Sequence, residues 1–248
     1  MSVLGVYSLK GGVGKTATAV NLAYLAARDG RRTLLWDLDP QASTSFYYRV
    51  RPRVRGGGDV LVQSRKNVAE AIHATEYDGL DLLPADFSYR TLDAALEQVK
   101  HPTRRLAKLL KPLRDAYDLV LIDCPDTLST LSDSVFFAAD ALLIPVIPTV
   151  LSIRTLGHVQ QYLKLAGQAP PLLLPFFCMV DRRKKLHRQV YEEYTNANRG
   201  FLRTPIPYAS AVEKMGLERA PLPSYDRRGR ATQAYEALWE EVQERLRA

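Results

Sequence analysis

Cysteine is almost missing from this chain: among 248 residues only Cys124 and Cys178 carry thiols. Both lie in apolar, strand-like surroundings without metal-ligand neighbours. That excludes a tandem Cys/His zinc module and predicts two reduced core thiols in a cytoplasmic protein. Long apolar runs are missing as well, since none approaches the roughly 18 residues of a membrane span. No leader pattern opens the chain, whose first residues already read as a strand. Ahead of the first loop there is no room for a helix-turn-helix, which argues against sequence-specific DNA readout. We find no internal repeat, low-complexity tract or interdomain linker. Residues 1–248 are therefore read as one domain, large enough for a sizeable buried core. A hydrophobic content of 46% is that of an ordinary globular chain.

What is present starts at the end of the first strand. Val3 to Tyr7 is apolar, and Lys10-Gly11-Gly12-Val13-Gly14-Lys15-Thr16 follows it. The ordinary phosphate loop, G-x-x-x-x-G-K-[ST], needs a glycine at its first position. Gly5 is too far from Gly14 to supply it, so the loop is a variant with Lys10 at its entrance. Glycines at 11, 12 and 14 let several N–H groups turn towards one centre. A helix expected over 16–28 adds its positive end. Lys15 would neutralise phosphate charge, and the Thr16 hydroxyl suits Mg²⁺.

Two further strands end in carboxylates. Thr33 to Trp36 leads into Asp37-Leu38-Asp39-Pro40-Gln41, and Leu119 to Ile122 leads into Asp123. Acidic side chains at the carboxyl ends of parallel strands face the crevice where α/β sheets hold ligands. Near a triphosphate such groups orient a water or hold Mg²⁺. The remaining apolar runs predict strands at Leu80–Leu83, Ala141–Ile147 and Leu172–Met179. Helices are expected over 106–117, 153–165 and 231–246. Residues 42–75 read as irregular and basic, with a short helix near Val68–His73. The fold class is therefore α/β, doubly wound, a mostly parallel sheet with helices on both faces, as in P-loop NTPases.

With Lys10 to Thr16, Asp37 to Gln41 and Asp123-Cys124-Pro125 in place, the chain resembles the deviant-Walker ATPases of the ParA/MinD family, on the small ParA branch that lacks an N-terminal DNA-binding domain. The resemblance runs over nearly the whole chain, through Leu82 to Ala85, Ile144 to Pro148, Met179 to Arg183, Ile206-Pro207 and the last helix. It implies ATP and Mg²⁺ as cofactors. By it, Lys10 reaches across a nucleotide-sandwich homodimer to the partner's phosphates, and Lys10, Lys15 and Asp39 serve catalysis, Asp39 by positioning the attacking water. Lys10, Gly11, Gly12, Val13, Gly14, Lys15, Thr16, Ala17 and Pro207 would hold the nucleotide. Thr16, Asp123 and Asp37 would stand at the metal, Asp37 with the less defined role. Two positions depart from the family pattern: Ala17, where a second threonine is common, and Asp126, where proline often follows.

The net charge of +7 is more than an ATPase needs and points to a polyanionic partner. Three arginine-rich groups carry it: Arg49, Arg51, Arg53 and Arg55; then Arg182, Arg183, Lys184, Lys185 and Arg188; then Arg219, Arg227, Arg228 and Arg230. The last two are the candidates for non-specific, salt-dependent contact with the DNA backbone. The first also suits a dimer interface. The last helix ends with three acids against two arginines over 240–248 and lacks the basic polar face that favours anionic lipid. The resemblance then implies a nucleoid-associated, cytoplasmic ATPase that positions or segregates a cargo. A ParB-like or cargo adaptor would stimulate it, and no stable membrane association is expected. A MinD-like membrane-associated ATPase is the alternative. A tyrosine kinase of related loop chemistry lacks its terminal tyrosine cluster here, and an iron–sulfur relative lacks exposed cysteines.

Overall fold

The computed structural model describes residues 1–63, 65–166, 169–197 and 200–247, without the side chains of 65–67. Seven strands form one sheet in the order β3-β4-β2-β5-β1-β6-β7. They are β1 (Ser2–Val6), β2 (Thr33–Asp37), β3 (His73–Ala74), β4 (Leu80–Leu83), β5 (Leu119–Asp123), β6 (Ala141–Val146) and β7 (Leu172–Phe177). All neighbours run parallel except the short β3, which is antiparallel to β4.

The two faces of the sheet bury alternate residues. In β5, Leu119 and Leu121 join α1 (Lys15–Arg28) and α13 (Arg230–Arg247) in one core. Val120 and Ile122 point the other way, into a core closed by α5 (Leu92–Glu97), α6 (Arg105–Leu110), α7 (Thr130–Ala138) and α8 (Val150–Leu165). Covering on both faces explains why the central strands are apolar at every position instead of alternating. The strand and major-helix expectations hold within two residues, except that the helix expected over 153–165 starts three residues earlier, at Val150. The helix expected over 106–117 is interrupted: α6 ends at Leu110 and a 3-10 turn at Lys111–Leu113 follows. Pro112 falls in that turn, where it cannot continue an α-helical ladder.

Residues 42–75 differ most from expectation. They hold α2 (Ser43–Tyr47), α3 (Gly57–Gln63), α4 (Arg65–Glu70) and β3. Val68 falls in α4, but His73 is strand. Gly57 and Gly58 open α3 close against Ser88, Tyr89 and Leu92, where an added Cβ would stand at 3.0 Å and press its neighbours aside. Tertiary packing overrides the local breaker signal. Four further helices follow β7: the polar α9 (Lys185–Asn196) and the short α10 (Ser210–Glu213), α11 (Met215–Glu218) and α12 (Leu222–Tyr225).

The apolar stripe of α13 is used inside the fold. Tyr235, Leu238, Trp239 and Val242 are buried, Trp239 Nε1 donates to Asp29 Oδ2 at 2.8 Å, and Arg31 lies over the indole. Among the described residues no helix is long and apolar enough to cross a membrane. Cys124 and Cys178 are both buried and free. Burial raises the Cys124 thiol pKa and pushes that of Cys178 up to about 12, so neither is a thiolate at neutral pH.

Candidate functional site

The site sits at the carboxyl ends of β1, β2 and β5, where chain order reverses across the sheet. Gly12 (φ 69°) and Gly14 (φ 97°) take the left-handed conformation that makes the loop after β1. At Gly14 a side chain would also meet Cys178 Sγ at 2.9 Å, so the core thiol is the wall behind the loop. Helix α1 starts with no side-chain cap and no acid in its first turn. Its first N–H groups therefore remain for an anion.

A cleft of about 330 Å³ opens over this loop. Gly11, Gly12, Gly14, Lys15, Thr16, Ala17, Asp39 and Asp126 line one end; Met179, Ile206, Pro207, Tyr208 and Glu213 line the other. The second end is built by pairing: Val180 bridges Pro207 beyond β7, and Tyr208 donates its hydroxyl to Glu213 at 2.8 Å. Phosphate-binding groups at one end and a mixed apolar wall at the other fit a nucleotide. A larger groove, about 470 Å³, lies between α7 and α8 and is lined mainly by Phe136, Tyr162, Leu163 and Pro170. It offers no phosphate cradle.

The three predicted aspartates occupy different positions. Asp39 is half-buried on the cleft wall, where its Oδ1 accepts the Gln41 N–H at 2.9 Å. Asp123 lies beneath the cleft at 1% exposure; its Oδ2 accepts the Thr44 hydroxyl at 2.7 Å and its Oδ1 accepts nothing among the described residues. Asp37 does not line the cleft. Its carboxylate is taken up by Ser45 N–H and hydroxyl at 3.0 and 2.9 Å and by the Asp39 N–H at 3.1 Å. The sequence pattern groups Asp37 with the metal ligands; the structure ties it to α2. Burial, then repulsion from Asp123, raises the Asp37 carboxyl pKa. Burial raises that of Asp123, opposed by Thr44, Thr16 and Lys15.

The remaining donors fit a magnesium nucleotide. The orphaned Asp123 Oδ1 and the Thr16 hydroxyl are hard oxygen ligands of the kind Mg²⁺ takes while keeping several waters. An unpaired buried carboxylate oxygen is costly unless a cation or water meets it.

Lys10 points elsewhere. It does not line the cleft; its Nζ donates to Ser152 Oγ at 3.2 Å, in a narrow crevice shared with Val13, Thr155 and Leu156. Val13 buries its side chain there, leaving only its backbone for a phosphate. Ser152 in turn lies 2.9 Å from the Thr149 hydroxyl that caps α8. Beside it Val150 and Leu151 are 67% and 68% exposed.

A family model described as an AAA domain matches residues 1–170. The chromosome partitioning protein ParA of Caulobacter vibrioides is 32% identical over 256 residues, covering 100% of this chain and 96% of that protein. The chain belongs to the ParA/MinD family of P-loop ATPases. The crystal structure of the cell division ATPase MinD of Pyrococcus furiosus superposes with a TM-score of 0.77 at 26% identity, with 98% of each chain covered. The cobyrinic acid a,c-diamide synthase of Mycobacterium smegmatis, solved with ADP and magnesium, shares the fold: TM-score 0.82, 24% identity, 100% and 96% covered. The chain is an ATPase of this family, and the oxygens of Thr16 and Asp123 are of a kind that suits Mg²⁺.

The basic groups are redistributed by folding. Arg182, Arg183, Lys184, Lys185 and Arg188 are exposed where α9 begins. Arg183 is held by both oxygens of Asp181, and Arg188 donates to the Arg182 carbonyl. Arg182 meets Arg230 across a cleft of about 270 Å³ that also touches Pro207. Arg227 and Arg228 are exposed just before α13. Arg219 leaves this group. Its Nε donates to the Phe46 carbonyl at 3.2 Å, its guanidinium lies 4.5 Å from the Phe46 ring centre, and Arg49 donates to the Glu218 carbonyl beside it. Sequence reasoning missed Tyr47, Tyr208 and Glu213 at the cleft and Thr44 and Ser45 beneath it. Only the last two carried a signal, as consecutive hydroxyls soon after Asp39.

Proposed function

We propose that the chain, working as one ATPase domain, forms an ATP-sandwich homodimer, holds DNA non-specifically and positions or segregates a cargo over the nucleoid. The observation that carries this is the direction of Lys10. A loop lysine that avoids its own cleft and lies on the rim, beside exposed Val150 and Leu151, is available to the phosphates of a second copy. The Caulobacter ParA relative bears its chromosome-partitioning name, and the two basic groups around Arg182 and Arg230 offer one surface to a phosphate backbone.

In this reading Lys15 and the backbone from Gly11 to Thr16 neutralise and orient the triphosphate, while Ala17 and Pro207 contact its other parts. Thr16 and Asp123 would hold a Mg²⁺, which would supply neutralisation of phosphate charge. Asp39 accepts a hydrogen bond from the attacking water and fixes its line of approach. The γ-phosphate stabilises the dimer, and hydrolysis removes that bias. An adaptor would raise the slow intrinsic rate by completing the site. The apolar face of α13 is packed on Asp29 and α1, which favours DNA over lipid as the surface held.

The test is light scattering of the purified chain with ATP, ADP or neither, followed by co-sedimentation with duplex DNA or anionic vesicles. An ATP-specific dimer that pellets with DNA is expected. A chain that stays monomeric with ATP, or pellets with vesicles alone, overturns the reading.

A further inference from the structure

We infer that Thr44 is a positioning residue for the metal: its hydroxyl fixes one oxygen of Asp123 so that the other is aimed at Mg²⁺. This rests on the reading of Asp123 as the metal carboxylate. Thr44 and Asp123 are 79 residues apart in sequence, and both are buried, Thr44 at 0% and Asp123 at 1% exposure. The Thr44 Oγ1 to Asp123 Oδ2 distance is 2.7 Å, a short and charge-assisted hydrogen bond. It leaves Oδ1 as the Asp123 oxygen without a hydrogen-bond partner among the described residues, while Thr16 and Lys15 favour the charge of the carboxylate as a whole.

A carboxylate can turn about its Cβ–Cγ bond, and a free one would spread its oxygens over many directions. A donor fixed on one oxygen removes that freedom before a metal arrives, as outer-shell hydrogen bonds do at metal sites. The donor is itself fixed. Ser45, the next residue of α2, gives both its N–H and its hydroxyl to Asp37 Oδ2. Ala42 precedes α2 in the left-handed conformation, with its N–H on the Asp39 carbonyl at 2.9 Å. Two consecutive hydroxyls therefore clamp two neighbouring strand-end aspartates, and the segment that carries them begins at Asp39. The turn that carries Asp39 thus runs directly into the helix whose Thr44 holds Asp123.

The experiment titrates Mg²⁺ against binding of a fluorescent, non-hydrolysable ATP analogue, with a parallel titration in chelator. Thr44→Val keeps the shape and removes the donor. It should raise the Mg²⁺ needed for half-saturation by about 10-fold or more and leave metal-free nucleotide affinity within about twofold. Thr44→Ser should restore the wild-type midpoint. If Thr44→Val does not fold, Thr44→Ala, which also removes the hydroxyl donor, must show the same selective loss. A folded variant with an unchanged Mg²⁺ midpoint overturns the inference, as does equal loss with and without Mg²⁺. Failure of the wild-type chain to bind nucleotide more tightly with Mg²⁺ would instead overturn the assignment of Asp123.

Discussion

Asp37 and Asp123 stand opposite each other in register at the ends of β2 and β5. Neighbouring strands are about 4.8 Å apart, so two carboxyl groups share a dry corner. Asp37 commits its oxygens to α2 and the Asp39 turn, while Asp123 keeps one oxygen free. One carboxylate is a structural anchor, and the other is the candidate ligand. Equivalent strand-end positions have become different through what α2 donates to each.

Apo stability should fall as pH rises because of this pair. Their pKa values are raised in the folded chain, Asp37 by burial and then Asp123, and Asp123 by burial. Between the ordinary carboxylate value near 4 and those raised values, the folded state binds more protons than the unfolded. Stability is then greatest on the acid side and declines upward, by at most about 1.4 kcal/mol per pH unit for each proton. His187 titrates the opposite way, its pKa lowered mainly by burial. The decisive measurement is therefore a difference: thermal unfolding from pH 5 to 8 should show a flatter decline in Asp123→Asn than in the parent chain. Parallel curves would refute the account.

Lys10→Ala should lose ATP-dependent dimerisation while the monomer still binds ATP within a few-fold of normal. The side chain contributes nothing to its own cleft and donates only to Ser152. Light scattering with ATP gives the first quantity and an equilibrium nucleotide titration the second. An unchanged dimer midpoint would remove Lys10 from the interface.

Much of this was legible in the sequence, and the reason differs by element. The phosphate loop and the strand-end aspartates were readable because their chemistry is local: glycine conformations, a helix start, and apolar runs ending in acid. The placement of Asp37 was not, because its partners are Ser45, on a short helix that local propensity does not favour, and the N–H of Asp39 in the turn before it. Helices α2 and α3 are tied to the rest of the fold by the Ser45–Asp37 hydrogen bond and by close packing at Gly57 and Gly58, both tertiary contacts. The same holds for Arg219. The sequence groups it with Arg227, Arg228 and Arg230, yet its guanidinium is committed to Phe46. The second end of the cleft, with Tyr208 on Glu213, is assembled by a bridge between Val180 and Pro207, which no periodicity announces.

Asp39→Ala should slow hydrolysis by about 100-fold or more and leave an ATP-bound dimer that persists. Asp39 lines the cleft, and only Oδ1 is engaged, by the Gln41 N–H. Its second oxygen can take a water. Single-turnover hydrolysis together with dimer lifetime checks this, and undiminished turnover would refute the assignment.

The basic residues should separate into two classes under salt titration of DNA binding. Replacing Arg182, Lys184 and Lys185 by alanine should lower the dependence of log affinity on log salt by about one for each phosphate no longer neutralised. Arg219→Ala should instead loosen α2, lowering the unfolding midpoint and Mg-nucleotide affinity together, because its partners are Phe46 and the segment beside Arg49. Equal salt slopes for the parent chain and the triple variant would move the DNA-binding surface away from α9.

Asp126→Asn should raise the affinity for metal-free ADP by about 3- to 10-fold. A Cβ added at Gly11 would come within 2.8 Å of Asp126 Oδ2, so this exposed carboxylate stands against the loop backbone that is to receive phosphates. Its charge opposes theirs across the cleft, without a counter-cation in an ion pair among the described residues. Removing the charge while keeping the shape isolates that repulsion. Because Asp126 is exposed, the gain should shrink as salt approaches 1 M, where the screening length is about 3 Å. With saturating Mg²⁺ the gain should also diminish, since the metal offsets much of the phosphate charge. An affinity that does not change at low salt would show that Asp126 bends away from the nucleotide and imposes no electrostatic cost on its entry.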